Sequence, residues 1–337
     1  MEPRSQSPIR LGIIGTGAVA ELHLAAIAAT DAVELVAVCD IDRDRAAAVA
    51  DRHAARAWVD YSVMLSEANI DGVIITSPHS LHARMATAAA AAGIAVLVEK
   101  PLATTIEDAD SIIEACERAG VALATGHVLR FDPPEQKAAA AIASGSLGHP
   151  VTITHRRTAH YRPADRPAWF FDPVVAGGGI AMNVGPHGID RIQWFGGGRI
   201  TEVVADAQTR GDLAVETDVV ALLRLDSGVT ASLSLLSAET PYVDETVVVC
   251  ERGSVRFSAA EGAWMADGGP ERLLEGPSDL GHAFGRQLVD FADAIREGRP
   301  PAVSGEDGRS VLAAILALYR SSSLGGPVAT TAVEALA

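Results

Sequence analysis

The stretch IRLGIIGTGAVAELHLAAI, residues 9–27, decides the fold. A short apolar run, Ile9 to Ile14, is followed at once by glycine and then by a segment rich in Ala and Leu. Between the two lies Gly15-x-Gly17-x-x-Ala20, the spacing of a strand–loop–helix turn that holds a dinucleotide. Gly15 permits the tight turn, Gly17 lets the backbone approach a pyrophosphate, and the small Ala20 lets the helix sit close to the strand. The phosphates would rest on the free N–H groups around Gly17, Ala18 and Val19, where the helix dipole favours negative charge. The next strand-like run, ELVAVCD, ends in Asp40. A carboxylate there can accept hydrogen bonds from the adenosine ribose and would repel a 2′-phosphate. Ile41 and Asp42 follow, with no Arg immediately after Asp40, so the expected cofactor is NAD rather than NADP, with Ile41 beside it.

The same alternation runs outward through the first 126 residues. Leu35–Cys39, Gly72–Thr76, Ala95–Val98 and Val121–Thr125 are further apolar runs of strand length, and helix-like segments lie near 18–29, 42–54, 80–92 and 105–119. Strands apolar on both faces and alternating with helices imply a parallel sheet covered on each side. The fold class is therefore α/β, with a doubly wound Rossmann domain over 1–126. After His127 the pattern changes. A helical segment near 133–144 precedes Val151–Thr158, Ile200–Thr209, Thr217–Leu225, Val229–Leu236, Thr246–Cys250 and Ser254–Ser258, several joined by short turns. These predict a second α/β domain, 127–303, with a large open and mostly antiparallel sheet. The helix-like stretch Glu306–Ser322 and the tail, 304–337, are expected to pack back on the first domain.

Composition narrows the function. The 337 residues carry 43 acidic and 27 basic side chains, a net charge of −16. Such a surface repels nucleic acid and anionic lipid, and neither is an expected partner. Cys39, Cys116 and Cys250 are scattered and form no CxxC pair, so neither a disulfide framework nor a cysteine metal site is encoded. The longest apolar run, Ala86 to Val98, is too short to span a bilayer, and MEPRSQSPIR lacks the apolar core of a secretion signal. A cytoplasmic location is expected.

Three further segments carry chemistry. The fifth strand ends in Glu99-Lys100-Pro101, at the carboxyl edge where parallel sheets bind their ligands. A Lys against low-dielectric walls and a cationic nicotinamide could have a depressed pKa and exchange protons with a substrate hydroxyl. Thr76-Ser77-Pro78-His79-Ser80-Leu81-His82 follows the fourth strand on the same edge, and Ser77 and His82 could line the nicotinamide ribose pocket. His79 and His82 form an HxxH pair without a third ligand, so no metal is expected. In AGGGIAMNVGPHGIDRIQWFGGG, Asn183, His187 and Asp190 share one face if the segment is helical, although Pro186 would kink that helix or start a new turn. Gly177 to Gly179 would leave room for a ligand or a neighbouring backbone. Histidine on such a face is a natural general base.

Taken in order, the Gly15–Ala20 loop, TSPHSLH at 76–82, Glu99-Lys100-Pro101, GGGIAMNVGPHGID at 177–190 and the C-terminal GEDGRSVLAAILALYRSSSLGGPV resemble the Gfo/Idh/MocA family of NAD(P)-dependent sugar and polyol oxidoreductases. The resemblance covers nearly the whole chain. It implies hydride transfer between nicotinamide and a secondary alcohol or ketone of a sugar, cyclitol or sugar derivative, and a homodimer or homotetramer formed through the open sheet. Lys100 matches the lysine of the family's EKP motif and His187 its catalytic histidine. Asn183 stands where the family's DxGxHxxD pattern often has Asp; it would orient His187 or bind a neighbouring hydroxyl. On this reading the catalytic set is Lys100, His187 and Asn183, and the cofactor set is Gly15, Gly17, Ala18, Val19, Asp40, Ile41, Ser77, His82, Glu99 and Lys100. The substrate would be bound by Lys100, Asn183 and His187 together with Arg130, His155, Arg157, Tyr161 and Trp169. The pair Arg156-Arg157 could offset the acidic field for an anionic sugar. Two other activities fit the same resemblance: a glycosidase that oxidises transiently with NAD, and a non-enzymatic nucleotide-binding regulator.

Overall fold

The computed structural model describes residues 7–334. Residues 1–6, part of the stretch read for a secretion signal, and residues 335–337 of the tail lie outside the described residues.

The first unit runs β1 (Ile9–Ile14), α1 (Ala18–Ala28), β2 (Val33–Cys39), α2 (Arg43–Arg52), β3 (Arg56–Trp58), α3 (Tyr61–Glu67), β4 (Gly72–Ile75), α4 (His82–Ala91), β5 (Ala95–Glu99), α5 (Ile106–Ala119) and β6 (Leu123–Gly126). Its six strands are all parallel, in the order β3-β2-β1-β4-β5-β6. The order reverses between β1 and β4, which opens a crevice at their carboxyl ends. Gly15 sits at that reversal with φ +94°, its N–H donating to Cys39 O at 2.8 Å. A Cβ at Gly15 would lie 3.0 Å from the backbone of Thr76 and Ser77, so a side chain there would push the loops after β1 and β4 apart. Neither β3 nor α3 was anticipated: β3 has three residues, two of them exposed, and lacks the apolar run that marks the inner strands.

The second unit contains α6 (Pro133–Ala143), β7 (Pro150–Ala159), α7 (Pro173–Ala176), α8 (Ile180–Asn183), α9 (Gly185–Gly196), β8 (Ile200–Gln208), β9 (Asp218–Leu225), β10 (Thr230–Ser237), β11 (Val243–Cys250), β12 (Gly253–Ser258), β13 (Gly262–Ala266) and β14 (Arg272–Glu275). After it come α10 (Leu280–Glu297), α11 (Gly305–Leu324), β15 (Val328–Ala329) and α12 (Thr331–Glu334). Nine strands form the second sheet in the order β14-β13-β12-β11-β7-β10-β9-β8-β15. Only β7 and β10 pair in parallel, so the sheet is mixed and mostly antiparallel. One face carries α9 and α11, while on the other Val204, Val220 and Leu222 stand 40–63% exposed. Among the described residues no helix is long and apolar enough to cross a membrane.

Packing departs from the boundaries drawn at 126 and 303. Helix α10, inside the stretch assigned to the second domain, lies against α1 and β2, and its Phe284, Leu288 and Phe291 join Leu11, Leu24, Leu35 and Val38 in one buried cluster. It completes the cover of the first sheet. Helix α11 serves both units. Its Ser304–Asp307 capping box starts it beside β6, where Gly305 and Gly308 meet Leu123 and Thr125. Further on, Ser321 Oγ accepts from Ala205 N of β8 at 2.9 Å. The tail then adds β15 to the edge of the second sheet instead of returning to the first. Phe291→Ala should therefore cost about 3–5 kcal/mol in denaturant unfolding and weaken nucleotide binding with it. A loss below about 1 kcal/mol would remove α10 from the first unit's core.

Candidate active site

At the switch point the helix start is bare. Gly17 caps α1 without a side-chain hydrogen bond, Gly17 and Ala18 are exposed, and a Cβ on Gly17 would meet nothing within 4 Å. The leading N–H groups of α1, Val19 included, thus face open space, while Ala20 is fully buried against the sheet. This cradle fits a pyrophosphate. Asp40 stands at the end of β2. Its Oδ2 accepts from Thr16 N (2.9 Å) and Thr16 Oγ1 (2.6 Å), and its Oδ1 accepts from Asp42 N and from Arg45 Nη2, each at 2.9 Å. Burial works against ionisation of Asp40, but those hydrogen bonds and the Arg45 charge outweigh it and hold its pKa below the ordinary value. Ile41 is 90% exposed on the rim. Arg45 is five residues beyond Asp40 and carries no adjacency signal; the first turn of α2 brings it back onto the carboxylate.

The second edge motif divides. Ser77 lies at the crevice beneath Gly15, but His82 is fully buried, with its ring nitrogens 2.9 Å from the carbonyl oxygens of Ser77 and Pro101. Contrary to expectation, His82 lines no pocket; it ties the loop after β4 to the loop after β5 from below. His79 likewise has its Nδ1 2.8 Å from Ala176 O, and no group of three or more His, Cys, Asp or Glu among the described residues is placed to hold a metal. Glu99 is also turned inward. Its Oε1 lies 2.8 Å from His23 Nε2, and its Oε2 accepts from Lys100 N. It shapes the strand end from within and does not present its carboxylate to the crevice. His23, buried on α1 and edge-on to Phe284, carried no sequence signal beyond its place on the helix.

Lys100 leaves the edge of β5 and donates from Nζ to the carbonyl oxygen of Asn183 at 2.9 Å. Burial lowers its pKa to about 8; Glu99 pulls it back up, while Arg157 and Arg166 push it further down. The two halves of the molecule meet at this contact. Asn183 ends α8, the chain breaks at Val184, and Pro186 begins α9 in the first turn, where its missing N–H costs no helical hydrogen bond. The interruption separates Asn183 from His187 and Asp190, which stay together on α9. Asn183 Nδ2 donates to Tyr161 Oη at 2.7 Å and Gly179 O at 2.9 Å, its Oδ1 is buried without a partner, and its contact with Lys100 is through the backbone carbonyl. Asp190 pairs with Arg130. His187 alone stays with Lys100. Its Nδ1 is buried without a partner, and burial, then the charges of Lys100 and Arg157, push its pKa well below 6.5, so it is neutral at pH 7. His127, at the end of β6, is a buried neighbour not singled out from the sequence; both of its ring nitrogens lack partners.

The substrate candidates separate by strand parity and burial. Arg130 gives its donors to Asp190 and Asp307 and stacks 5.8 Å from the Trp194 ring, which leaves it a structural residue. His155 is buried beneath α9, its Nδ1 2.9 Å from Thr246 Oγ1, and a Cβ on Gly188 would come within 2.5 Å of its Nε2. Burial pushes its pKa to about 3, and it too is removed from the substrate set. Alternation along β7 sends Arg156 outward to Glu245 and Arg157 inward toward Lys100 and His187. Tyr161 is buried; its hydroxyl accepts from Asn183 and donates to Phe170 O, so it supports the site from below. Trp169 is half-buried and edge-on to His79, 4.9 Å between ring centroids. The glycine run makes room for neighbours and not for a ligand: Tyr319 Oη would lie 2.0 Å from a Cβ on Gly178, and Glu216 accepts from Gly179 N and Ala181 N.

Residues 9–127 match the family model described as an oxidoreductase family with an NAD-binding Rossmann fold, and residues 136–256 match that of the GFO/IDH/MocA C-terminal domain. The chain belongs to the GFO/IDH/MocA family. Among curated members of the family, D-xylose 1-dehydrogenase (NADP(+)) 2 of Haloferax volcanii is 31% identical over 94% of this chain and 98% of its own. Myo-inositol 2-dehydrogenase of Thermotoga maritima is 27% identical over 90% and 93%. Among solved structures, the aldose-aldose oxidoreductase of Caulobacter crescentus, complexed with glycerol, is 25% identical with a TM-score of 0.87, covering 96% of this chain and 99% of that one. The GFO/IDH/MocA chain described here is thus an oxidoreductase with a nucleotide-binding Rossmann domain.

Proposed function

We propose that the protein transfers a hydride between NAD and a secondary alcohol or ketone of a sugar or polyol, with the Lys100 amine as proton carrier. The observation that carries this reading is the half-buried Lys100, its amine held by Asn183 O at the carboxyl edge of the first sheet and lowered to about pKa 8. NAD, when bound, supplies the hydride acceptor or donor. In the oxidation direction the neutral amine takes the hydroxyl proton; in reduction the ammonium returns it. His187 is too weak a base to hold that proton near neutral pH and serves as a neutral hydrogen-bonding group to the same oxygen. Lys100 is one of only two lysines in the chain, with Lys137, among 27 basic residues. A guanidinium in its place would never deprotonate near neutral pH, which is the chemical reason for an amine there.

In the oxidation direction kcat/KM should rise with pH to a plateau above an apparent pKa near 8, because only the deprotonated amine accepts the proton; in reduction it should fall through the same pKa. Lys100→Met and Lys100→Arg should each lower kcat by about 10²–10⁴-fold and flatten that profile, while fluorescence titration still shows NADH binding. A pH profile unchanged in Lys100→Met would refute the role. For the nucleotide we infer NAD, because a carboxylate at the end of β2 would repel a 2′-phosphate, although Arg45 lies on the same carboxylate. Asp40→Ala should shift the ratio of kcat/KM for NAD to that for NADP toward NADP by at least about tenfold. Preference for NADP in the unaltered protein would overturn the choice.

The enzyme is inferred to act in the cytoplasm as a homodimer or homotetramer. The exposed Val204, Val220 and Leu222 on neighbouring β8 and β9 support self-association through the outer face of the open sheet. Sedimentation velocity should show an assembly that Leu222→Glu shifts toward monomer; a monomer at micromolar concentration in the unaltered protein would exclude it.

A further inference from the structure

Two guanidinium groups beside Lys100 lack the acceptors that buried arginines ordinarily find. Arg157, on the inward face of β7, has Nη1 3.2 Å from Asp244 Oδ2, an ion-pair distance without hydrogen-bond alignment, and its buried Nε meets no acceptor. Asp244 is already engaged by Arg191 at 2.7 Å, so one carboxylate serves two guanidiniums. Arg166 lies over the rings of Tyr161 and Phe170, at 4.9 and 5.4 Å, and its Nε is likewise buried and unpartnered. The nearest acidic residue in sequence, Asp165, is taken up by Arg162. Tyr161 links this arginine to the reacting end, since its hydroxyl holds Asn183 and the Asn183 carbonyl holds Lys100. Both guanidiniums act on the Lys100 amine, and burial, with a smaller push from the Arg157 charge, lowers the pKa of Arg166 against the opposing pull of Tyr161 and Asp165. A chain of net charge −16 thus gathers cations here, and neither guanidinium is fully satisfied by acceptors of its own protein.

We propose that Arg157 and Arg166 form an anion subsite next to Lys100 and His187, and that the substrate is a sugar or polyol acid whose carboxylate docks there. The assignment rests on Lys100 and His187 marking the reacting end. Three buried nitrogens without acceptors, Nε and Nη1 of Arg157 and Nε of Arg166, show that neither guanidinium is saturated within the protein, and the planar fork of a guanidinium matches the two oxygens of a carboxylate. The pair differs from the Arg156-Arg157 pair suggested by adjacency, because strand alternation turns Arg156 out to solvent.

The test uses the full-length protein with NAD and matched probes: D-glucose against D-glucuronate, D-galactose against D-galacturonate, D-glucitol against D-gluconate, and glucose 6-phosphate. For at least one pair the acid should have kcat/KM at least about tenfold above its neutral partner, a gap that narrows at about 0.5 M salt. Arg157→Met and Arg166→Met should each collapse that ratio, mainly through KM for the acid. Equal or better use of the neutral member in every pair, or a gap that survives both substitutions, overturns the subsite. Preference for the phosphate ester over every carboxylate overturns the carboxylate. If no probe is turned over, the hydride-transfer reading fails, and thermal unfolding of the NADH-loaded protein decides the subsite separately. Stabilisation by the acids but not by the neutral sugars, lost in Arg166→Met, upholds it; no stabilisation by any acid overturns it.

Discussion

Desolvation of one amine at the seam between two sheets is the constraint around which this molecule is organised. Lys100 emerges from a parallel sheet whose strand end is closed from within by the Glu99–His23 contact, and its Nζ reaches across to the Asn183 carbonyl. The packing around it removes part of its hydration, and the ammonium loses much of its advantage over the free amine. That effect requires the second unit to close over the first. The break at Val184–Pro186 turns a carbonyl toward Lys100 and lets His187 follow on the next helix.

The seam is held from behind by buried ion pairs. Arg191, one turn after His187 on α9, joins Glu135 and Asp244 and lies 4.2 Å from the Phe257 ring. Removing one member of such a cluster costs about 3–5 kcal/mol because it strands a charge in low dielectric. Asp244 also receives Arg157, so the group that braces α9 sets the inward aim of Arg157. On the other flank α11 contacts β8 and α5 at once, which fixes the two sheets relative to each other.

The inner strands of the first sheet were legible because each is buried on both faces and reads as an unbroken apolar run; Ile9–Ile14 is found at the residues predicted. Helix α10 was passed over although Phe284, Leu288, Phe291 and Ile295 recur at helical spacing. The edge strands β3, β14 and β15 have too few residues for a period to emerge. In the site, the places of Gly15, Gly17, Asp40 and Lys100 at strand ends were legible because each follows directly on an apolar run. His82, Glu99, Arg130 and His155 were misplaced because motif and residue type do not reveal which way a side chain is turned or which partner consumes its donors.

Residue order by itself determined the glycine turn, the alternation of strand and helix, and the location of Lys100 and His187 at element ends, since these depend on backbone geometry over a few residues. Tertiary structure alone decided which of the candidate groups remain free to act. Arg130 meets Asp190 across 60 positions and Lys100 meets Asn183 across 83, and contacts at such separations are set by packing of whole sheets rather than by local spacing. The same packing desolvates one lysine and leaves Nε of Arg157 and of Arg166 without an acceptor, because burial and pairing are properties of the closed fold.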